Sequence, residues 1–215
     1  MGDVINLAER RDARRSRGAP VRVPRRAEFF FDLSSPFTYL AAERVDRSFE
    51  HVVWTPASAA ALQRGQQGGD APALDRLRHV AEERAAMLRL PLSWPERFPA
   101  DVPAAMRVAA FASSAGRGAS FVLAAARLAF CGGFDLEDPE ILAEAAAAAN
   151  IVLDDCLAAA RDTGRDGAIE SEGRRLLAVG ADRLPALRVG RALYWGEDRL
   201  SEAALAARLA AAAQG

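Results

Sequence analysis

The sequence predicts an α/β fold in which a mixed sheet is assembled from an N-terminal βαβ unit and a C-terminal ββα unit, with a large all-helical insertion between them. Three observations carry this expectation. Aromatic or apolar runs of strand length occur only around residues 28–33, 51–55 and 186–195. The long stretch between the second and third runs is alanine-rich and helical in spacing. The third run is split by Gly190-Arg191, a two-residue hairpin turn.

Taken in order, Glu28-Phe29-Phe30-Phe31-Asp32-Leu33 has the length and apolarity of a buried strand. Ser34-Ser35-Pro36 follows at once. Serine caps free N–H groups and proline is tolerated at the first helical position, so a helix is expected to start here with Ser35 as its cap. Phe37, Leu40, Ala41 and Val45 recur at helical spacing, and residues 51–55, ending at Pro56, form the second strand. Strand, helix and strand with tight connections make a right-handed parallel unit. Helices are expected over residues 74–88, 104–114, 120–130, 139–150, 153–161 and 169–179, separated by Gly, Pro and Asp breaks. The alanine run at 145–149 lies inside one of these patterns and reads as a close-packed helix. Strands at 186–189 and 192–195 and a final helix at 201–213, capped by Ser201, close the chain.

With the insertion set aside, this order is the thioredoxin topology. It divides the chain into a basic tail (residues 1–23), a thioredoxin-like domain in two pieces (24–60 and 166–215) and an inserted helical subdomain (61–165).

Composition narrows the chemistry. The 215 residues carry a formal net charge of −1, which gives no electrostatic reason to expect nucleic acid or a membrane surface as partner. All 28 basic side chains are arginine, so no step depends on a lysine ammonium. Cys131 and Cys156 form no CxxC pair, and only His51 and His79 stand beside them, so no metal site is expected. The two cysteines read as small buried residues in helices, with a disulfide between them as the alternative. No run approaches the ~20 apolar residues of a membrane span, and the arginine-rich N-terminus lacks the apolar run of a secretory signal. A cytoplasmic location is therefore expected.

In thioredoxin-type folds the reactive group stands at the start of the first helix, where open N–H groups and the helix dipole stabilise a thiolate. Here that position reads Ser35-Pro36-Phe37-Thr38, with hydroxyls where a redox motif has sulfurs. A serine cannot exchange disulfides, but it can donate a hydrogen bond to a thiolate that arrives with a cofactor. Leu184-Pro185 precedes the hairpin, and a proline there is typically cis. Tyr194-Trp195-Gly196-Glu197-Asp198-Arg199-Leu200 leads into the last helix; Asp198 suits a ligand ammonium and Gly196 permits close backbone approach. Asp198 reads equally as part of a surface ion pair, and Trp195 as hairpin packing.

Phe31-Asp32-Leu33-Ser34-Ser35-Pro36-Phe37-Thr38-Tyr39-Leu40, Leu184-Pro185, Trp195-Gly196-Glu197-Asp198-Arg199-Leu200 and, more weakly, Trp94-Pro95-Glu96-Arg97-Phe98-Pro99 together resemble the 2-hydroxychromene-2-carboxylate isomerases and the related kappa-class glutathione transferases, within the wider DsbA-like group. The resemblance implies Ser35 as catalytic residue, with glutathione or another low-molecular-weight thiol held by Leu184, Pro185, Trp195, Gly196, Glu197 and Asp198. It implies a glutathione-dependent isomerase acting on a small aromatic-derived oxo acid, and a homodimer. A kappa-like transferase and a non-catalytic thioredoxin-like binding module are the alternatives. Two stretches depart from the family pattern. Residues 68–76 read Gly-Gly-Asp-Ala-Pro-Ala-Leu-Asp-Arg, with neither the lysine nor the tyrosine of the substrate side, and Asp182-Arg183 replace a glycine-rich approach to Leu184.

Hydroxyls at 35 and 38 predict no insulin-reducing or disulfide-isomerase turnover above background. Turnover that survives replacement of both Cys131 and Cys156 would contradict the serine-site reading.

Overall fold

The computed structural model describes residues 27–62 and 71–212. The expected basic tail, residues 68–70 and the end of the last helix lie outside the described residues. Four strands, β1 (Ala27–Phe31), β2 (Val52–Pro56), β3 (Ala186–Val189) and β4 (Ala192–Trp195), form one sheet in the order β2-β1-β3-β4. β1 pairs parallel with β2 and antiparallel with β3, and β3 pairs antiparallel with β4. This is the mixed thioredoxin-like sheet that the element order predicts.

Alternation along β1 sets up two cores. Phe29 and Phe31 face one side of the sheet and Phe30 the other, and all three are fully buried. A central strand covered on both faces therefore reads as a continuous aromatic run. On the first face lie α1 (Pro36–Ser48) and α9 (Leu200–Ala212), with Leu40, Val45, Leu200 and Ala203 buried against Phe29, Phe31 and Leu187. The second face is covered by α2 (Ala59–Leu62) and α8 (Asp166–Ala178), which bring Leu62 and Leu176 onto Phe30 and Ala186.

Between β2 and β3 the described residues form helices and no strand. They run through α3 (Ala71–Leu88), α4 (Pro103–Ser114), α5 (Gly118–Phe130), α6 (Pro139–Ala148) and α7 (Leu153–Arg161), then a short 3-10 turn (Thr163–Arg165) into α8. Their core is continuous with the first face of the sheet, because Trp54 and Phe31 share one buried cluster with Val108, Phe121 and Phe130. Alanine carries much of this packing. Ala105, Ala109, Ala112, Ala125, Ala129, Ala145, Ala146 and Ala149 are all buried. Within the run 145–149 only Ala147 and Ala148 are exposed, so the alanine run is a close-packed helix end, as its pattern suggests. None of the described helices is long and apolar enough to cross a membrane.

Several helices start earlier than periodicity indicates: α3 at Ala71 and α8 at Asp166. α9 begins at Leu200, because the 3-10 turn Glu197–Arg199 runs straight into it; Ser201 lies inside the helix and is not its cap. The short α2 has no sequence signature, and tertiary contacts hold it. Asp32 accepts from the Ala59 amide at 2.8 Å, Ser58 Oγ accepts from Ala61 N at 3.2 Å, and Ser58 N donates to the Ile169 carbonyl at 3.2 Å.

Gly173 makes that last contact possible. A Cβ there meets the Ser58 carbonyl oxygen at 2.5 Å and Ala61 Cβ at 2.8 Å. Gly173→Ala gains helix propensity, worth ~1 kcal/mol, yet must push α8 off the Ser58–Ala61 backbone. The expected net effect in chemical denaturation is destabilisation by about 1–3 kcal/mol; a stabilised variant would contradict this packing.

Candidate active site

The β1–α1 connection is tied down by Asp32, which is 8% exposed. Its Oδ1 accepts from Ser34 N at 2.9 Å and Ser34 Oγ at 2.7 Å, while its Oδ2 holds Ala59 N. The Asp32 amide in turn donates to Thr38 Oγ1 at 3.4 Å, and Ser35 N donates to the Asp32 carbonyl at 3.2 Å. Leu33 N points at the Met106 sulfur, 3.3 Å away, which fastens the loop to α4. Thr38 is wholly buried, so its hydroxyl is part of this frame and faces no ligand.

Ser35 stands at the N-cap position with Pro36 behind it, but its side chain makes no capping hydrogen bond. The capping role expected from the sequence is therefore corrected. Asp32 organises the loop, and among the described residues no hydrogen bond uses Ser35 Oγ. A partly exposed hydroxyl is left at the positive end of a helix that has no side-chain cap.

Strand register brings the other candidate residues to the same edge. Phe30 lies opposite Ala186, and Ala186 opposite Trp195. One step further along the strands, Leu184-Pro185 and Gly196 fall beside the Asp32–Ser35 loop. The Leu184–Pro185 bond is cis, and the Pro185 carbonyl accepts from Gly196 N at 2.8 Å. The Leu184 side chain is buried in the second core, whereas its backbone amide and carbonyl take no partner among the described residues. Gly196 has φ +97°, and a Cβ there would strike Asp198 Oδ1 at 2.4 Å and Arg183 Nε at 2.7 Å. Trp195 is half-buried and packs its side chain on the second core, as hairpin packing would have it.

Glu197 and Asp198, adjacent in sequence, have opposite fates. Glu197 is 3% exposed and is gripped by Arg44 of α1 and by Arg84 of α3, the latter at 2.8 and 3.1 Å. Its carboxylate ties the C-terminal turn to two helices remote in sequence. Asp198 is exposed and loosely paired with Arg183, at 3.7 Å. Arg199 turns instead to Glu202 and stacks over Tyr194.

Both cysteines are free. Burial pushes the Cys156 thiol up, away from reactivity. Cys131 donates to the Tyr39 oxygen at 3.0 Å, and the Tyr39 hydroxyl donates to the Pro91 carbonyl at 2.9 Å. Burial, then the hydrogen bond with Cys131, hold that phenol well above its ordinary value, so it stays a donor.

Beside the loop opens a cleft of about 360 Å³. Asp32 and Ser34 supply one wall, Ser58–Ala60 a second, residues 101–103 and Met106 a third, and Asp166, Ile169 and Glu170 of α8 the fourth. Ser34 lines it directly and Ser35 stands next to it in the chain. Sequence reasoning missed these cleft residues, because they come from four segments that only the tertiary fold unites. The one local signal was acidic residues at helix starts, with Asp101 before Pro103 and Asp166 opening α8.

The order and directions of the four strands, with a cis proline just before β3, are those of a thioredoxin-like fold. Residues 26–208 match the DSBA-like thioredoxin domain, and the chain belongs to that family. Among solved structures it is similar to a 2-hydroxychromene-2-carboxylate isomerase, with TM-score 0.74 and 16% identity over 87% of this chain and 98% of that one. It is also similar to a candidate DsbA oxidoreductase from Streptomyces coelicolor, with TM-score 0.64 and 17% identity over 86% and 89%. At these identities the likeness shows the fold. No curated protein matches the sequence.

The two loop residues separate cleanly by stability. Ser35→Ala loses no hydrogen bond and is expected to change unfolding free energy by less than ~0.5 kcal/mol, below the usual cost of removing a cap. Asp32→Ala strands two amides and a hydroxyl and is expected to cost about 2–4 kcal/mol. Urea titration of the two variants checks both values, and a Ser35→Ala loss as large as that of Asp32→Ala would contradict the assignment.

Proposed function

We propose that the chain activates a small thiol, glutathione or a close analogue, for reversible addition to an electrophile, as an isomerase resembling the 2-hydroxychromene-2-carboxylate isomerases does. The observation that carries this reading is the Ser35 hydroxyl, unpartnered at the head of α1 and next to a cleft.

In this reading the thiol lies across the sheet edge, with the open Leu184 amide and carbonyl pairing to its backbone. The turn Trp195–Gly196 gives close approach, and Asp198 receives its ammonium group in exchange for the loose contact with Arg183. Ser35 Oγ–H donates to the sulfur, and the helix dipole adds to that stabilisation, so the thiol loses its proton near neutral pH. The sulfur then forms a bond to an electrophilic carbon, whose π pair moves onto the conjugated oxygen. Rotation about the bond that has become single, followed by return of the pair and departure of the sulfur, gives the isomer and regenerates the thiolate. If the adduct leaves before the sulfur does, the same chemistry is that of a transferase. The disulfide chemistry of a DsbA oxidoreductase is not proposed, because neither Ser35 nor Thr38 carries sulfur.

Thermal stability with and without millimolar glutathione tests the proposal. Wild type is expected to gain stability by linkage, amounting to ~1 kcal/mol or more if the thiol binds submillimolarly. Ser35→Asp is expected to fold and show no gain, since two anions would share one site. Given oxidised glutathione, Ser35→Cys is expected to exchange with its disulfide, keeping one half as a mixed disulfide visible by mass spectrometry and releasing the other as glutathione thiol. No thiol response in wild type or any variant would leave a thioredoxin-like binding module and overturn the proposal.

A further inference from the structure

We infer that the cleft beside Ser34 is a binding site for a cationic molecule with an apolar, ring-sized body, so that the electrophile met by the thiol bears an amine rather than a carboxylate. Its role as electrophile rests on the thiol-addition reading; the binding itself does not.

The site is the cavity, and its lining gives the ligand class. About 360 Å³ suits a one- or two-ring molecule. Val102, Pro103, Met106 and Ile169 make its apolar surface. Its titratable lining residues are Asp32, Asp101, Asp166 and Glu170, all acids. Among the described residues, no arginine lines this cleft.

The helix starts that line the cleft, those of α2, α4 and α8, already carry the chain's own carboxylates and so favour an anion little. Asp32 holds the first amide of α2. Glu137, reaching over from the turn before α6, accepts from Ala104 N and Ala105 N at the start of α4, at 3.0 and 3.4 Å. Asp166 occupies the first turn of α8.

Two of the four lining acids are spent. Asp32 is saturated by two amides and a hydroxyl, and Asp166 forms a two-pronged pair with Arg107 at 2.7 Å for each contact, which holds its carboxyl below the usual range. The remaining two set the field. Asp101 takes no partner among the described residues, and Glu170 has only the exposed Arg174 one turn along its helix, at 3.1 Å, a kind of pair worth little in water. A cation between Asp101 and Glu170 gains attraction from both while its body covers Met106 and Ile169. An aromatic oxo acid, the substrate class that the family resemblance implies, would bring like charge to the same place.

The test is titration of the full chain, without thiol, with three probes of one shape: protonated naphthylmethylamine, neutral naphthylmethanol and naphthoate. Amide shifts at Ala59, Ala60, Met106 and Ile169 report occupancy by nuclear magnetic resonance. The amine is expected to move these amides and to bind about tenfold or more tighter than naphthoate, with the alcohol between them. Asp101→Asn combined with Glu170→Gln is expected to remove most of that margin, whereas Asp154→Asn, on α7 and not lining the cleft, leaves it intact. Equal or tighter binding of naphthoate, a margin unaffected by the double substitution, or no binding of any probe would overturn the inference. Because thiol is absent, none of these results bears on Ser35, whose own test is the glutathione response.

Discussion

The carboxylate of Asp32 is the constraint on which the site depends. It stands at the end of the central strand, nearly buried, and gathers the β1–α1 loop and the first residue of α2 onto its two oxygens. A buried charge survives only when its hydrogen-bonding capacity is filled, and here the loop backbone fills it. The consequence reaches Ser35. With Asp32 and Thr38 shaping the turn, the serine does not cap α1, and its hydroxyl has no hydrogen-bond partner among the described residues. Holding α2 down through Ala59 also forms one wall of the cleft. The hydroxyl and the cleft therefore arise from one interaction.

Sheet register does for the rest of the site what Asp32 does for the loop. The row Phe30–Ala186–Trp195 crosses three strands, so whatever follows β1, precedes β3 and follows β4 meets at one edge. That row brings residues far apart in sequence together without requiring them to touch. Glu197 then anchors the far side by binding Arg44 and Arg84, which connects the C-terminal turn to α1 and α3. Asp198 stays exposed, paired only loosely with Arg183, while its neighbour carries the structural load.

Local patterns in the sequence were enough for the strands, the hairpin and the body of every long helix. Gly190 takes a positive φ between Val189 and Ala192, as a two-residue turn demands. The places where reading failed are those where a distant residue decides. Ala59–Leu62 is helical because Asp32 and α8 hold it, not because of its own periodicity. Ser35 looks like a cap by composition, yet the capping work passed to another side chain. Glu197 sits in a motif read as ligand-binding, but two arginines from helices remote in sequence claim it. The cleft was invisible for the same reason, since its acids come from segments with no local pattern in common.

Ser35 and the head of α1 are proposed to lower the pKa of a bound thiol, which ultraviolet thiolate absorbance of bound glutathione measures directly across pH. The account predicts that the bound thiol ionises well below free glutathione in wild type, and that the shift shrinks in Ser35→Ala while stability stays the same. A bound thiol that ionises like the free one, or a shift unchanged by Ser35→Ala, would contradict it.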